Sequence, residues 1–289
     1  MTATPSDDLM AAPDEISPQP VTGRQESLSL RVRFQLLALL SIFPAMIFPI
    51  WWAGLARERH YSDAGLALMQ TMQMGGIFLA SLALLVLEGR VHRGKLSALS
   101  LAMMGIVFLA VSFLPSLHEV LCAYLFMGIG MSAALSLSSI YIGQSSGPER
   151  QFAVQTGVGT LAGAINMAVF PYIQARFGAA GVQLSCALPL LVGALAVSTL
   201  PAGRAPKEAR KPGMLGLAQG SARQPTSWIA SIPAIAATVA FSSFAYNLFN
   251  FSERTASARG IGLEGMGALL CVAMVCGLSG PAAGFLLGN

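Results

Sequence analysis

The polar groups best placed for chemistry in this chain lie inside apolar runs, and none of them is charged. Ser242, Ser243, Tyr246, Asn247 and Asn250 follow i, i+3 and i+4 spacing, so on a helix they share one face. Hydroxyl and carboxamide groups placed in hydrocarbon must find a partner or meet water. Such a face either lines a cavity and holds a solute by neutral hydrogen bonds, or bonds neighbouring helices together. Tyr246, Asn247 and Asn250 are the candidate substrate contacts, joined by Asn166, which lies midway along another run and faces either a helix or the cavity. Proton coupling usually leaves a carboxylate or histidine deep in the membrane. Here Glu88, Glu119, Glu253, His60 and His118 all sit at run ends, so coupling through this chain would use Glu58 or Glu253 at a mouth. An enzyme would need a constellation such as HExxH, a GxSxG elbow or paired intramembrane carboxylates. The chain is read as having none, and as a non-enzyme without metal or cofactor.

The elements that position these groups follow from composition. Of 289 residues, 54% are hydrophobic and 10% charged, against roughly 25% charged in soluble domains. Eight apolar runs are expected as spans, at 34–55, 65–87, 96–114, 120–143, 153–174, 181–200, 228–250 and 264–288. Each is about twice the 9–11 residues of a barrel strand, and no alternating pattern appears, so the class is all-α integral membrane protein in a lipid bilayer. The net charge of +4 comes from Lys and Arg scattered in short clusters, which excludes a nucleic-acid stripe. Cys122, Cys186, Cys271 and Cys276 fall within apolar runs without CxxC spacing and are expected to be free.

Residues 1–32, rich in Pro and Asp, are expected to be a disordered tail, because they bury too little apolar surface to offset ordering. A six-helix bundle over 33–200, a basic linker over 201–227 and two helices of a further bundle over 228–289 follow. With the amino terminus inside, twelve of the seventeen Lys and Arg fall on the cytoplasmic side, the arrangement the positive-inside rule favours. The expected location is a plasma (inner) membrane with the amino terminus cytoplasmic.

The connection Gly89-Arg-Val-His-Arg-Gly-Lys95, the glycines Gly128 and Gly130 in the fourth run, and the following Gly147-Pro-Glu-Arg150 resemble the major facilitator superfamily. Arg90 and Arg93 fit that family's loop between its second and third helices. Gly89 stands where the family has its acid, and His92 where it has glycine. The resemblance implies two six-helix halves that rock about a midplane site, so this sequence is expected to hold about two-thirds of a complete family chain. It implies that Arg90, Arg93 and Arg150 act as a cytoplasmic latch, with Glu88 in place of the missing acid, unless these basic residues only obey the positive-inside rule. It also sets the seventh run along the central cavity.

The function so implied is secondary active or facilitative transport of a small solute by alternating access; the alternative is a non-transporting or truncated relative acting as a membrane receptor or scaffold. Trp51 and Trp52 are expected in an interfacial aromatic belt, and Gln70 and Gln73 near headgroup water. Gly159/Gly163 and Gly280/Gly284/Gly288 are expected at close helix contacts, and Pro44, Pro171 and Pro281 at bends. In the full-length protein, Asn247→Leu is expected to reduce solute uptake at unchanged membrane abundance; equal uptake at equal abundance removes Asn247 from the site.

Overall fold

In hydrocarbon every backbone N–H and C=O has to be satisfied within the chain, so the apolar runs are helical. The structure is a computed structural model and describes residues 28–87, 91–145, 147–200, 233, 248–249 and 251–287. Residues 1–27 of the expected tail 1–32, the linker 201–227 and nearly all of the 228–250 run lie outside the described residues, while residues 28–32 of that tail belong to a helix. The helices are α1 (Leu28–Arg59), α2 (Asp63–Leu87), α3 (Arg93–Val111), α4 (Leu117–Gly143), α5 (Pro148–Ser198), α6 (Ser252–Ala258), α7 (Leu263–Gly277) and α8 (Ser279–Leu287). Among the described residues, six stretches are long and apolar enough to cross a membrane, namely α1 to α5 and Leu263–Leu286 across α7 and α8. This is a multi-pass all-α membrane bundle.

The 51 residues of α5 would extend about 77 Å as one straight helix, more than twice a hydrocarbon core of roughly 30 Å. Gly178 resolves the excess. Its φ of 67° and ψ of −166° suit a residue without Cβ, and the chain reverses there. Near the start of α5, Gln151 accepts a hydrogen bond from Gln35 Nε2 at 2.9 Å. Just past its end, Thr199 Oγ1 accepts one from Arg33 at 2.6 Å. Both contacts lie at the beginning of α1, whereas Gly178 meets Glu58 at the far end of α1. The first arm of α5 therefore runs parallel to α1 and the second returns antiparallel. The break falls between the expected runs 153–174 and 181–200.

Most of α1 is buried at the centre, with Leu37, Ile47, Phe48 and Ile50 wholly enclosed. Around it, α2 lies parallel to α4, and α3 lies against the second arm of α5. Exposed Phe78, Leu85, Val86, Leu188 and Leu195 form the surface that lipid tails would cover. Helices attract one another in lipid through packing and not through a hydrophobic gain, so small residues set how near they come. The α2–α4 pair meets backbone to backbone. A Cβ on Gly76 would collide with the Leu125 carbonyl, and one on Gly128 with the Gln73 carbonyl.

Helix α4 opens with a reciprocal cap, in which Glu119 N–H donates to Ser116 Oγ and Ser116 N–H to Glu119 Oε2. At the carboxy-terminal side, the expected single run 264–288 is split. Pro281 has no N–H to give the carbonyl of Gly277, so α7 ends there and α8 restarts with the proline in its first turn, where no donor is lost. Together α7 and α8 run antiparallel to the first arm of α5. Gly267 faces the Met167 carbonyl, Met274 faces Gly163, Pro281 faces Gly157 and Gly284 faces Ala153. Gly159 packs on Ile42 of α1, Gly280 has open space around it, and Gly288 lies outside the described residues.

Gly128→Ala forces α2 and α4 apart at a cost of about 1–3 kcal/mol. A thermal melt of the detergent-solubilised chain is expected to show a Tm lowered by roughly 5 °C, while Gly280→Ala leaves it level or higher. A Gly128→Ala protein as stable as the parent would mean that the carbonyl contact is not tight.

Candidate functional site

Two ends of the bundle can be distinguished: one where α1 and the first arm of α5 begin, beside Arg93, and the other at Glu58 and Gly178. Between them the first arm of α5 presents a single face at i, i+4 and i+3 spacing, made of Gln151, Gln155, Gly159, Gly163, Asn166, Phe170 and Gln174. This face points to α1 over its whole length and to α7 and α8 along the same seam. Its polar members are neutral amides spaced from one end of the bundle to the other.

Their bonding is incomplete. Gln151 is held by Gln35, but Gln155 Oε1, Asn166 Nδ2 and Gln174 Oε1 are buried and have no hydrogen-bond partner among the described residues. An unmet amide in a low-dielectric interior costs about 1–3 kcal/mol, so such groups persist where something else meets them. Asn166, 8% exposed, is where the sequence places a mid-membrane contact. Depth along a run does not single out Gln155 and Gln174, which the sequence reading leaves unnamed. The signal that finds them is the four-residue repeat that begins at Gln151.

The centre of the bundle is aromatic. Phe48 stacks with Trp51 and Trp52 of α1, and Trp51 stacks with Tyr124 of α4; Trp51 also meets Phe108 of α3, and Phe251 stands edge-on to Trp52. Trp52 Nε1 donates to Tyr124 Oη at 3.0 Å. This corrects the expected interfacial belt: Trp51 and Trp52 are 0% and 2% exposed, because α1 continues two further turns to Arg59. Gln70 and Gln73 are likewise buried inside the protein and not solvated at its surface. Gln73 Nε2 donates to Met131 Sδ at 2.9 Å, on the face where α2 meets α4.

The end beside Arg93 holds two of the expected latch residues. Arg93 is 5% exposed and donates to Gln144 Oε1 at 3.2 Å, tying α3 to the end of α4 within the first bundle. Arg150, in the first turn of α5, lies over the ring of Phe285 in α8 at 5.3 Å, a cation–π contact across the seam. His92, the departure from the family loop, caps α3 by accepting Lys95 N–H at Nδ1. Glu88, Arg90, Tyr246, Asn247 and Asn250 lie outside the described residues. Ser145 stands in GxSxG spacing between Gly143 and Gly147, which the sequence reading overlooked. It follows a helix and not a strand, and its Oγ donates to the Ile142 carbonyl at 2.7 Å, so it makes no nucleophile elbow.

At the opposite end, Glu58 Oε1 accepts Ala179 N–H at 2.6 Å, so this candidate coupling carboxylate holds the turn at Gly178. Arg59 donates to the carbonyls of Ser112 and Leu114, closing α1 on the end of α3. Arg254 of α6 pairs with Asp63 of α2 at 3.0 Å, and both are well exposed. Among the described residues no three His, Cys, Asp or Glu side chains gather as a metal site.

Neither protein-family models, curated proteins nor solved structures give a match to this chain. The assignment that stands is therefore the coarser one, a multi-span membrane bundle with a neutral polar face along one seam.

Tyr124→Phe keeps the stacked ring and orphans the Trp52 N–H. The loss is expected to be about 0.5–2 kcal/mol in the membrane interior, read as a lower Tm together with altered tryptophan emission. An unchanged melt and spectrum would show that the Trp52–Tyr124 bond carries no stability.

Proposed function

We propose that this chain is a transporter of the major facilitator type that moves a small solute by alternating access, and that it is not an enzyme. The observation that supports this reading is the face of α5. Three neutral amides with unmet hydrogen-bonding atoms lie on a path between the two ends of the bundle, at the seam where the first bundle meets α7 and α8. A solute passing along such a face exchanges water for amide partners step by step. Neutral groups bind it without the several kcal/mol needed to bury an unpaired charge. In this reading Asn166 is the mid-membrane contact, and Tyr246, Asn247 and Asn250 supply the facing surface.

The seam is also suited to movement. Among the described residues, two contacts made by charged side chains join the first five helices to α6–α8 at opposite ends, Arg150 on Phe285 at one and Arg254 with Asp63 at the other. Each is individually weak, since an exposed ion pair contributes about 0–1 kcal/mol and an exposed cation–π contact about 0.5–1 kcal/mol. Breaking either of these two contacts as an end opens therefore costs little. Arg93 is a positioning residue for the α3–α4 corner in this scheme, and Arg150 with Arg90 and Glu88 forms the latch.

The test is uptake by the full-length protein in cells or proteoliposomes, screened with a panel of small polar solutes. Asn166→Leu is expected to lower the uptake of the transported solute at least tenfold at unchanged membrane abundance, whereas Leu195→Ala, on the lipid face, is not. Uptake that survives Asn166→Leu at equal abundance would remove the α5 face from the path.

A further inference from the structure

At the Glu58 end, between α1, the first arm of α5 and the start of α7, lies a cavity of about 480 Å³ lined by Arg57, Glu58, Gln174 and Glu264 with Gly54 and Pro171. Two carboxylates face one guanidinium, so its formal charge is negative, and Arg57 already takes part in an interaction of its own. One oxygen of Glu58 is held by Ala179 N–H, which fixes the carboxylate at the cavity wall. Glu264 stands exposed in the first turn of α7.

The independent sign of a ligand is Gln174. It is 9% exposed, its Oε1 has no partner among the described residues, and it lines this cavity. The fold makes room for the amide at a cost elsewhere: a Cβ at Gly54 would collide with Gln174 Nε2, so α1 carries a glycine beside it. A cavity whose wall holds two carboxylates and an amide with an unmet oxygen is complementary to a group bearing several N–H donors and a positive charge. A carboxylate or phosphate would meet two like charges there. A cleft lined by one sign of charge also concentrates the opposite ion at its mouth.

We propose that this cavity is a binding vestibule for small organic cations of the alkylammonium class, whose N–H groups donate to Glu58, Glu264 and Gln174 Oε1. The proposal rests on the transporter reading only in treating the cavity as an entrance to the α5 face. Gln174 then both receives the solute and begins the line of amides leading to Asn166, and discrimination by charge takes place at the mouth and not at mid-membrane.

The experiment uses the full chain, purified in uncharged detergent, with Ala175→Cys as a reporter; Ala175 lines the cavity and is exposed. Its labelling is timed by peptide mass spectrometry with a cationic (trimethylammonium) and an anionic (sulfonate) methanethiosulfonate. The cationic reagent is expected to react about tenfold faster than the anionic one, allowing for their intrinsic rates on a free thiol. Glu264→Gln, an exposed substitution that leaves the Glu58 turn intact, is expected to reduce that preference several-fold. Propylammonium at millimolar concentration should slow labelling, and propionate should not. Equal reagent rates, a preference for the anion, or no protection by propylammonium would overturn the proposal. Labelling reads the cavity without any transport, so a cation-selective cavity in a protein that moves no solute would count against the transporter reading alone.

Discussion

The reversal at Gly178 is the constraint on which the rest of the architecture depends. Without it, α5 is a rod far too long for a bilayer; with it, one helix becomes two antiparallel crossings packed against α1 from both directions. The turn needs a residue that accepts positive φ and a group to satisfy the first amide of the returning arm. Gly178 provides the first and Glu58 the second, as a carboxylate at a helix amino terminus where the backbone dipole favours negative charge. Because Glu58 is the penultimate residue of α1, the same contact also sets the height of α5 relative to α1. That register brings Gln174 beside Gly54, and Gly163 between Met46 and Met274.

Once the first arm is fixed, its two sides are committed. One lies on α1, and along the same seam α7 and α8 descend, kept close by glycine at Gly267 and Gly163. Pro171 removes the N–H that would have reached the Met167 carbonyl, and Gly267 is the residue placed against that carbonyl. A backbone group left over in one helix is thus covered by the nearest approach of another, as an interior without water demands.

Much of the fold could be read from the run lengths, since a membrane leaves helices as the only economical use of twenty apolar residues. Run ends were less legible, and the errors in the site follow from them. Trp51 and Trp52 read as interfacial only if α1 stops near residue 55, but the helix continues through Ala56-Arg-Glu-Arg59, whose charged groups bond to neighbouring loops and turns. Gln174 read as the last residue of a run, although the arm continues to the turn at Gly178. The burial of Asn166 was legible because depth at mid-run is insensitive to such shifts. Spatial partners such as Trp52 with Tyr124, or Arg150 with Phe285, join residues far apart in the chain, and no local spacing encodes them.

The contact between α2 and α4 has a mechanical consequence. At Gly76 and Gly128 the two backbones touch directly, so no layer of side chains lies between them that could change rotamer and absorb a shear. The pair is a stiff plate. The first α5 arm meets backbone at Gly267, but around Gly163 it is cushioned by the thioethers of Met46 and Met274, flexible side chains that re-pack at small cost. Compliance in this molecule is therefore unevenly distributed, and strain applied at either end of the bundle passes through the α2–α4 plate undiminished and is taken up in the methionine-lined seam.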